Sequence, residues 1–171
     1  MISQAMEKAI NTQINKELYS AYYYAAMAAY LDNEGFEGMA NFMKAQAHEE
    51  TEHAQKFYDY INEQGGRVIL GAIDQPPVDY DSPKQIFELA LKHEKYVTSL
   101  IHELVTLALE EKDYATKAFL DWFVTEQVEE EATMESILNK FKIIGDSGHA
   151  LYMLDAKLGE RAPATAAEDD D

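Results

Sequence analysis

One stretch of sequence decides the fold: MANFMKAQAHEETEHAQKFYDY, residues 39–60. Positions separated alternately by four and three residues form one face of an amphipathic helix, and such a face packs against a core. This face comprises Met39, Met43, Gln46, Glu50, His53, Phe57 and Tyr60. Its two ends are apolar, whereas its middle is polar and ionisable. A core helix of this kind requires matching polar side chains on the helices that surround it.

Three further stretches have the same periodicity and are also interrupted near the middle. The three apolar stripes run through Ile10, Ile14, Glu17, Ala21, Tyr24, Ala28 and Leu31; through Phe87, Ala90, Glu94, Val97, Ile101, Leu104 and Ala108; and through Leu120, Phe123, Gln127, Glu130, Met134, Ile137, Phe141 and Ile144. In helices of similar length, the midpoints lie at one height of a bundle. The sequence therefore predicts that the polar residues of all four helices meet in a single layer.

Glycine and proline residues separate the helical stretches. The predicted helices are α1 (about 4–32), α2 (about 36–64), α3 (83–111), α4 (about 114–144) and a short α5 (about 147–158). Ser82 is a predicted N-cap, with Pro83 at the first helical position and Gln85 closing a capping box. The separation of α3 from α4 depends on Lys112-Asp113, with Asp113 as a second N-cap.

These elements predict an all-α fold, a four-helix bundle with one long crossover between α2 and α3. Short α1–α2 and α3–α4 turns form antiparallel hairpins, while residues 66–81 can travel the length of the bundle. We expect residues 1–159 to form one domain, including the short fifth helix at its C-terminal end. Residues 160–171 are predicted to be an acidic, disordered tail.

Composition narrows the range of functions. The chain has 171 residues, no cysteine and a formal charge of −18. Without cysteine, disulfides, thiolate zinc sites and cysteine-ligated iron centres are excluded. The negative charge repels phosphate backbones, so nucleic acid is not expected as a partner. No secretory signal or stretch long enough to cross a membrane is recognisable, so we expect a soluble, cytoplasmic protein without a membrane partner.

The predicted polar layer contains four carboxylates, from Glu17, Glu50, Glu94 and Glu130, and one imidazole, from His53. Burying unpaired carboxylates is costly, so either several of them are protonated or a cation is bound. A layer that only fixes the register of the bundle is the structural alternative, although it would normally be neutral or balanced in charge. A pair of divalent metals fits better, and carboxylates with an imidazole favour iron or manganese.

The ordered set of residues on four helices resembles that of the bacterial non-haem ferritins, over essentially the whole chain. It consists of Glu17, Tyr24, the segment Glu50-Thr51-Glu52-His53, Glu94 and the segment Glu126-Gln127-Val128-Glu129-Glu130. The resemblance implies a ferritin-like bundle that oxidises ferrous iron with dioxygen or peroxide and stores the ferric product in a 24-subunit shell. Thr51 stands where a haem-ligating methionine would be, so no haem is expected.

For the individual residues, the resemblance implies a di-iron site with supporting side chains. Glu17, Glu50 and His53 would hold the first iron, with Glu50 shared, and Glu94 would hold the second with Gln127 close by. From position alone, Glu130 is an alternative to Gln127, and Tyr24 is either a hydrogen-bonding or redox residue or simply part of the core. The resemblance also implies a third iron site, at Glu49, Glu126, Glu129 and Glu130.

Two other functions remain compatible with these patterns. One is a di-iron or iron–manganese oxidase that acts on an organic substrate and retains its metals. The other is a metal-binding or structural bundle without catalytic activity. Four histidines lie off the stripes and are expected at the surface or behind the ligands: His48, His93, His102 and His149.

Overall fold

The computed structural model describes residues 2–161, and these form five helices without a strand. The helices are α1 (Gln4–Asn33), α2 (Glu37–Glu63), α3 (Pro83–Glu110), α4 (Tyr114–Ile144) and α5 (Gly148–Leu158). Their bounds agree with the predicted ones to within one residue, and the all-α fold is confirmed. Residues 162–171, most of the predicted tail, lie outside the described residues.

The predicted helix starts have N-caps in the structure. Ser82 Oγ accepts a hydrogen bond from the Gln85 backbone N–H over 3.2 Å, and Asp113 Oδ1 accepts one from the Thr116 backbone N–H over 3.0 Å. The capping box differs in one detail. The Gln85 side chain accepts from the Asp81 backbone N–H rather than from that of Ser82, over 2.7 Å. The cap thus extends one residue further back than predicted.

The crossover between α2 and α3 follows α1 in the same direction along the chain. Asn11 bonds the backbone of Arg67 and Ile69, over 2.9 and 2.6 Å, and Asn15 bonds the backbone of Gly71 and Ala72. Because the two asparagines are one helical turn apart, they hold consecutive parts of the segment against α1. Near the other end of α1, the Tyr30 hydroxyl donates to the Tyr80 backbone carbonyl over 2.6 Å. The crossover therefore spans the bundle, and α2 and α3 run in the same direction.

The core consists of two apolar clusters. One cluster contains Met27, Met43, Phe87 and Met134, among others, and the other contains Ile14, Phe57, Ile101 and Phe123. Neither cluster includes the polar residues at the middle of the four stripes. In each of the four long helices, these polar residues lie between the members of the two clusters in sequence. Within residues 2–161, none of the helices is both long and apolar enough to span a membrane.

The short helix α5 packs on the beginning of α2. Asp155 accepts hydrogen bonds from the backbone N–H groups of Gly38 and Met39, over 3.2 and 2.8 Å, and so caps the N-terminus of α2. Gly159 approaches Gly38 so closely that an added Cβ on Gly159 would lie 3.0 Å from the Cα of Gly38. Glycine at both positions lets the end of α5 contact α2 directly.

Candidate metal centre

The polar residues of the four stripes are buried. Relative exposure is at most 7% for the six side chains Glu17, Glu50, His53, Glu94, Gln127 and Glu130. Their helices present them from different sides because each belongs to a stripe that faces the bundle axis. All six residues that the sequence predicts to be in one polar layer are thus buried within the bundle.

Three of these side chains form a cluster of possible metal ligands. Glu17, Glu50 and His53 each offer one ligand atom, and these atoms lie within 4.8 Å of one another. Glu50 and His53 lie one turn apart on α2, with His53 Nδ1 at 3.5 Å from Glu50 Oε2. Glu17 reaches them from α1, which is paired with α2 in a hairpin. All three side chains of the cluster therefore come from α1 and α2. The other polar side chains of the layer come from α3 and α4.

Two buried carboxylate oxygens in this cluster have no hydrogen-bond partner among the described residues. They are Glu17 Oε2 and Glu50 Oε2. Buried polar atoms are normally satisfied, and one that is not satisfied requires an explanation such as a bound ion. Oxygen ligands with one imidazole suit iron or manganese. The residues present therefore fit a metal ion.

Burial strongly favours the neutral forms of these acids. It raises the pKa of Glu17 to about 8, with the nearby Glu50 as a second cause. Burial and the neighbouring Glu94 raise the pKa of Glu130 to about 7. The pKa values of Glu50 and Glu94 are raised as well, again mainly because both groups are buried. Without a cation, this layer holds protons that isolated carboxylates would release.

Glu94 lies within a hydrogen-bond network. Its side chain accepts a hydrogen bond from the hydroxyl of Tyr24 and another from Gln127 Nε2, which is 3.1 Å away. Gln127 Nε2 also lies 3.3 Å from Thr98 Oγ1. Burial raises the pKa of Tyr24 well above its ordinary value, so its hydroxyl remains a donor. Glu94 is thus oriented from α1 and from α4.

The residues predicted for a third iron site are less closely assembled. Glu130 is buried, Glu49 and Glu126 are partly buried, and Glu129 is exposed. Among the described residues they do not form a cluster of three or more ligand atoms within the spacing found for Glu17, Glu50 and His53. Glu49 instead pairs with Arg161, whose Nη2 lies 2.6 Å from Glu49 Oε2.

Sequence reasoning missed three supporting side chains. Gln13 Nε2 donates to Glu17 Oε1 over 2.8 Å, and Gln46 Nε2 donates to Glu130 Oε2 over the same distance. The spacing of Gln13 and Glu17, one helical turn, could have indicated the first of these contacts. Arg161 could not be found in this way, because its partner Glu49 is 112 positions away in the sequence. His93, expected near the surface or behind the ligands, bonds Ser20 Oγ over 2.7 Å, and burial lowers its pKa to about 4.

Residues 7–144 match the family model of the ferritin-like domain. This chain belongs to the ferritin-like family. The bacterial non-heme ferritin of Staphylococcus aureus is 44% identical over 161 residues, which cover 94% of this chain and 97% of the relative. A probable bacterial non-heme ferritin-like protein of Haemophilus influenzae is 43% identical over 159 residues, covering 93% and 96%.

Solved structures agree with this assignment. The open pore ferritin of the hyperthermophilic archaeon Archaeoglobus fulgidus matches with a TM-score of 0.94 and 49% identity, over 95% of this chain and all of that one. An engineered closed form of the same archaeal ferritin matches with a TM-score of 0.93. The resemblance to non-haem ferritins that the sequence indicated is therefore confirmed. In this ferritin-like chain, the buried ligand cluster lies at the middle of the bundle.

Proposed function

We propose that this protein oxidises ferrous iron at the buried centre and stores the ferric product inside a hollow oligomer. The observation that carries the proposal is the cluster of Glu17, Glu50 and His53, whose ligand atoms lie within 4.8 Å of one another. Two buried carboxylate oxygens of this cluster have no hydrogen-bond partner within residues 2–161. Iron is the substrate here. Each ferrous ion gives up one electron, and dioxygen or peroxide accepts the electrons of two ions.

Each residue of the centre has a distinct role in this proposal. Glu17 and His53 hold one ferrous ion, and Glu50 is shared between two. Glu94 holds the second ion, and Gln127 orients it through the 3.1 Å hydrogen bond. Because burial raises the pKa values of Glu17 and Glu50, the iron-free protein carries protons there, and incoming cations replace them.

Tyr24 supports Glu94 from the opposite side. Its hydroxyl donates a hydrogen bond to the carboxylate, and its raised pKa keeps that proton in place. The second position has fewer protein ligands than the first. We therefore expect it to release oxidised iron toward the interior, with Glu49, Glu126, Glu129 and Glu130 forming a third position nearby.

Storage requires an enclosed space, which one bundle does not have. We propose self-association into a 24-subunit shell. Three large apolar side chains are candidates for contacts between subunits: Tyr22 is 53% exposed on α1, Tyr152 is 69% exposed on α5, and Ile143 is 84% exposed at the end of α4. Contacts between subunits that join such side chains into contiguous apolar patches would bury them.

The test uses metal-free, full-length protein and ferrous iron in air, at a ratio well above a few ions per chain. We expect rapid oxidation, and soluble ferric iron that co-elutes with a large oligomer in size exclusion. Glu50→Ala should slow oxidation by about two orders of magnitude or more, because losing even a side chain that only orients a metal ligand costs roughly 10–100-fold. The matched control is Glu52→Ala, two residues along α2, where the side chain is 40% exposed and faces His48.

The activities of the two variants and the fate of the excess iron can each contradict the proposal. Equal loss of activity in both variants would contradict a role specific to Glu50. A few tightly held metals on a small oligomer, with excess iron precipitating, would exclude storage and favour an oxidase that acts on an organic substrate.

A further inference from the structure

Arg161, just beyond the end of α5, lies against one face of α2. Its Nη2 is 2.9 and 2.6 Å from the two carboxylate oxygens of Glu49, and its Nη1 donates a hydrogen bond to Gln46 Oε1. The guanidinium carbon lies 4.5 Å from the centre of the Phe42 ring. Phe42, Gln46 and Glu49 are successive turns of one helix face, so the arginine is held by an aromatic, an amide and a carboxylate together.

Gln46 connects Arg161 to the buried polar layer by two hydrogen bonds. While its oxygen accepts from Arg161, its Nε2 donates to Glu130 Oε2 over 2.8 Å. Arg161 therefore acts directly on Glu49 and, through one amide, on Glu130. These are two of the four residues proposed for the third iron position.

The position of Arg161 is set by the docking of α5 on α2. Asp155 caps the N-terminus of α2, and Gly38 and Gly159 are in direct contact. A Cβ added to Gly38 would lie 1.8 Å from the carbonyl oxygen of Asp155, so no side chain fits there. The end of α5 therefore has little freedom to shift, and Arg161 follows immediately on Gly159 and Glu160.

A guanidinium in this position competes with a metal. Arginine stays protonated in proteins, so its positive charge is permanent. The Arg161 and Glu49 side chains are only 28% and 18% exposed, so water screens their charges less than at an open surface. A cation that binds Glu49 is repelled by this charge. It must either displace the guanidinium or bind beside it with lower affinity.

We propose that Arg161 is a positioning residue that competes with ferrous iron for Glu49 and so weakens the third iron position. This inference rests on the proposed function and adds a determinant of affinity to it. Weak binding at the third position suits iron that passes through on its way to storage, because an ion held tightly by four carboxylates would remain there. The two positions at Glu17, Glu50, His53 and Glu94 do not contact Arg161 and are unaffected.

The test is calorimetric titration of metal-free, assembled protein with ferrous iron in the absence of oxygen. Arg161→Gln should tighten the weakest class of specific sites roughly tenfold or more, the scale expected when a charge-assisted hydrogen bond is removed. The affinity of the tighter class should not change. Lys157→Gln is the matched control, because it removes the same charge from α5 at a side chain that is 70% exposed and contacts Glu160.

A double-mutant cycle separates competition from a general loosening of α5. In a Glu49→Gln background, Arg161→Gln should alter the weak class far less, since the contested carboxylate is gone and only the indirect contact through Gln46 to Glu130 remains. Arg161→Lys keeps the charge but not the paired hydrogen bonds, and should give an intermediate affinity. The inference is overturned if Arg161→Gln leaves the iron affinity of the weak class unchanged, lowers it or abolishes binding there. It is also overturned if neither protein has a weak class of sites.

The proposed function fails in a different way. It fails if the wild-type protein has no tight class of iron sites, or if Glu50→Ala leaves such a class intact. The role of Arg161 is judged only from the difference between wild type and Arg161→Gln in the weak class.

Discussion

Gln127 Nε2 donates a hydrogen bond to Glu94 Oε2, 3.1 Å away, and a second to the Glu94 backbone carbonyl, 3.2 Å away. This pair joins α4 to α3 at the height of the polar layer. It also distinguishes the contacts of Gln127 from those of Glu130, its alternative as a ligand. Gln127 bonds Glu94, the proposed ligand of the second iron, whereas Glu130 accepts a hydrogen bond from Gln46 on α2.

Replacing this amide by a carboxylate should change both stability and iron retention. In Gln127→Glu, the donor to Glu94 is lost and a fifth buried acid is added to the layer. We expect the metal-free protein to lose roughly 1–3 kcal/mol of unfolding free energy near neutral pH, the cost of an unsatisfied buried group. With iron, the added ligand should hold the second ion longer.

Denaturant unfolding measures the first effect, and retention of iron after repeated buffer exchange measures the second. Gln55→Glu is the control, since Gln55 also donates to a carboxylate, that of Asp59 over 2.8 Å, but at an exposed site. If Gln55→Glu lowers the free energy of unfolding as much as Gln127→Glu does, the buried position of Gln127 has no special effect.

The metal-free protein should become less stable as the pH rises. Burial raises the pKa of Glu17 to about 8 in the folded protein, whereas the ordinary pKa of a glutamate is 4.5. Between these values the folded state binds more protons than the unfolded state, so unfolding free energy falls with increasing pH. Glu130, with a pKa of about 7, contributes in the same direction over a narrower interval.

Thermal unfolding of metal-free protein from pH 5 to about 8 tests this expectation. Glu17→Gln should flatten the decline, because the neutral amide has no proton to lose. Saturation with a divalent cation should reverse it, since the cation replaces the protons. A melting temperature that rises with pH in the metal-free wild type would contradict the assigned direction of the pKa shifts.

Gly38→Ala should displace α5. An alanine in place of glycine within a helix usually stabilises by about 0.5–1 kcal/mol. Here, however, the new Cβ would lie 1.8 Å from the Asp155 carbonyl oxygen, so α5 must move. We expect faster hydrogen exchange of the α5 amides and a net loss of stability. Gly148→Ala, where an added Cβ meets nothing within 4 Å, should leave α5 protected.

Lys112→Gly should stabilise the turn between α3 and α4. Lys112 has a φ of +57°, a left-handed conformation that costs a residue with a side chain about 1–2 kcal/mol. Glycine adopts it without this cost, although its greater freedom in the unfolded chain offsets part of the gain. Chemical denaturation should show a gain of roughly 1 kcal/mol or less. Lys140→Gly, in the exposed part of α4, should instead destabilise by about 1 kcal/mol.

Local sequence was sufficient for the helices and for the burial of their polar residues. The four stripes could be predicted because helix periodicity is a property of a short segment, and 27 of their 29 positions are buried, Ala21 and Ile144 being only partly so. The positions of Ser82 and Asp113 as N-caps were predictable for the same reason. The similar lengths of the four helices then predicted that Glu17, Glu50, His53 and Glu94 lie at one height, without any distance being known.

Contacts between elements distant in the sequence needed the tertiary structure. The sequence argument considered charges only within the four stripes and therefore found His53 as the single possible cation. Arg161 lies 112 positions from Glu49, and the docking of α5 on α2, through the Asp155 cap and the contact of Gly159 with Gly38, brings the two together. Periodicity determines which face of a helix is buried, but the partner of that face depends on how helices dock. For this protein, the sequence determined the bundle and the composition of its polar layer, whereas the tertiary structure decided which carboxylates cluster and which one meets an arginine.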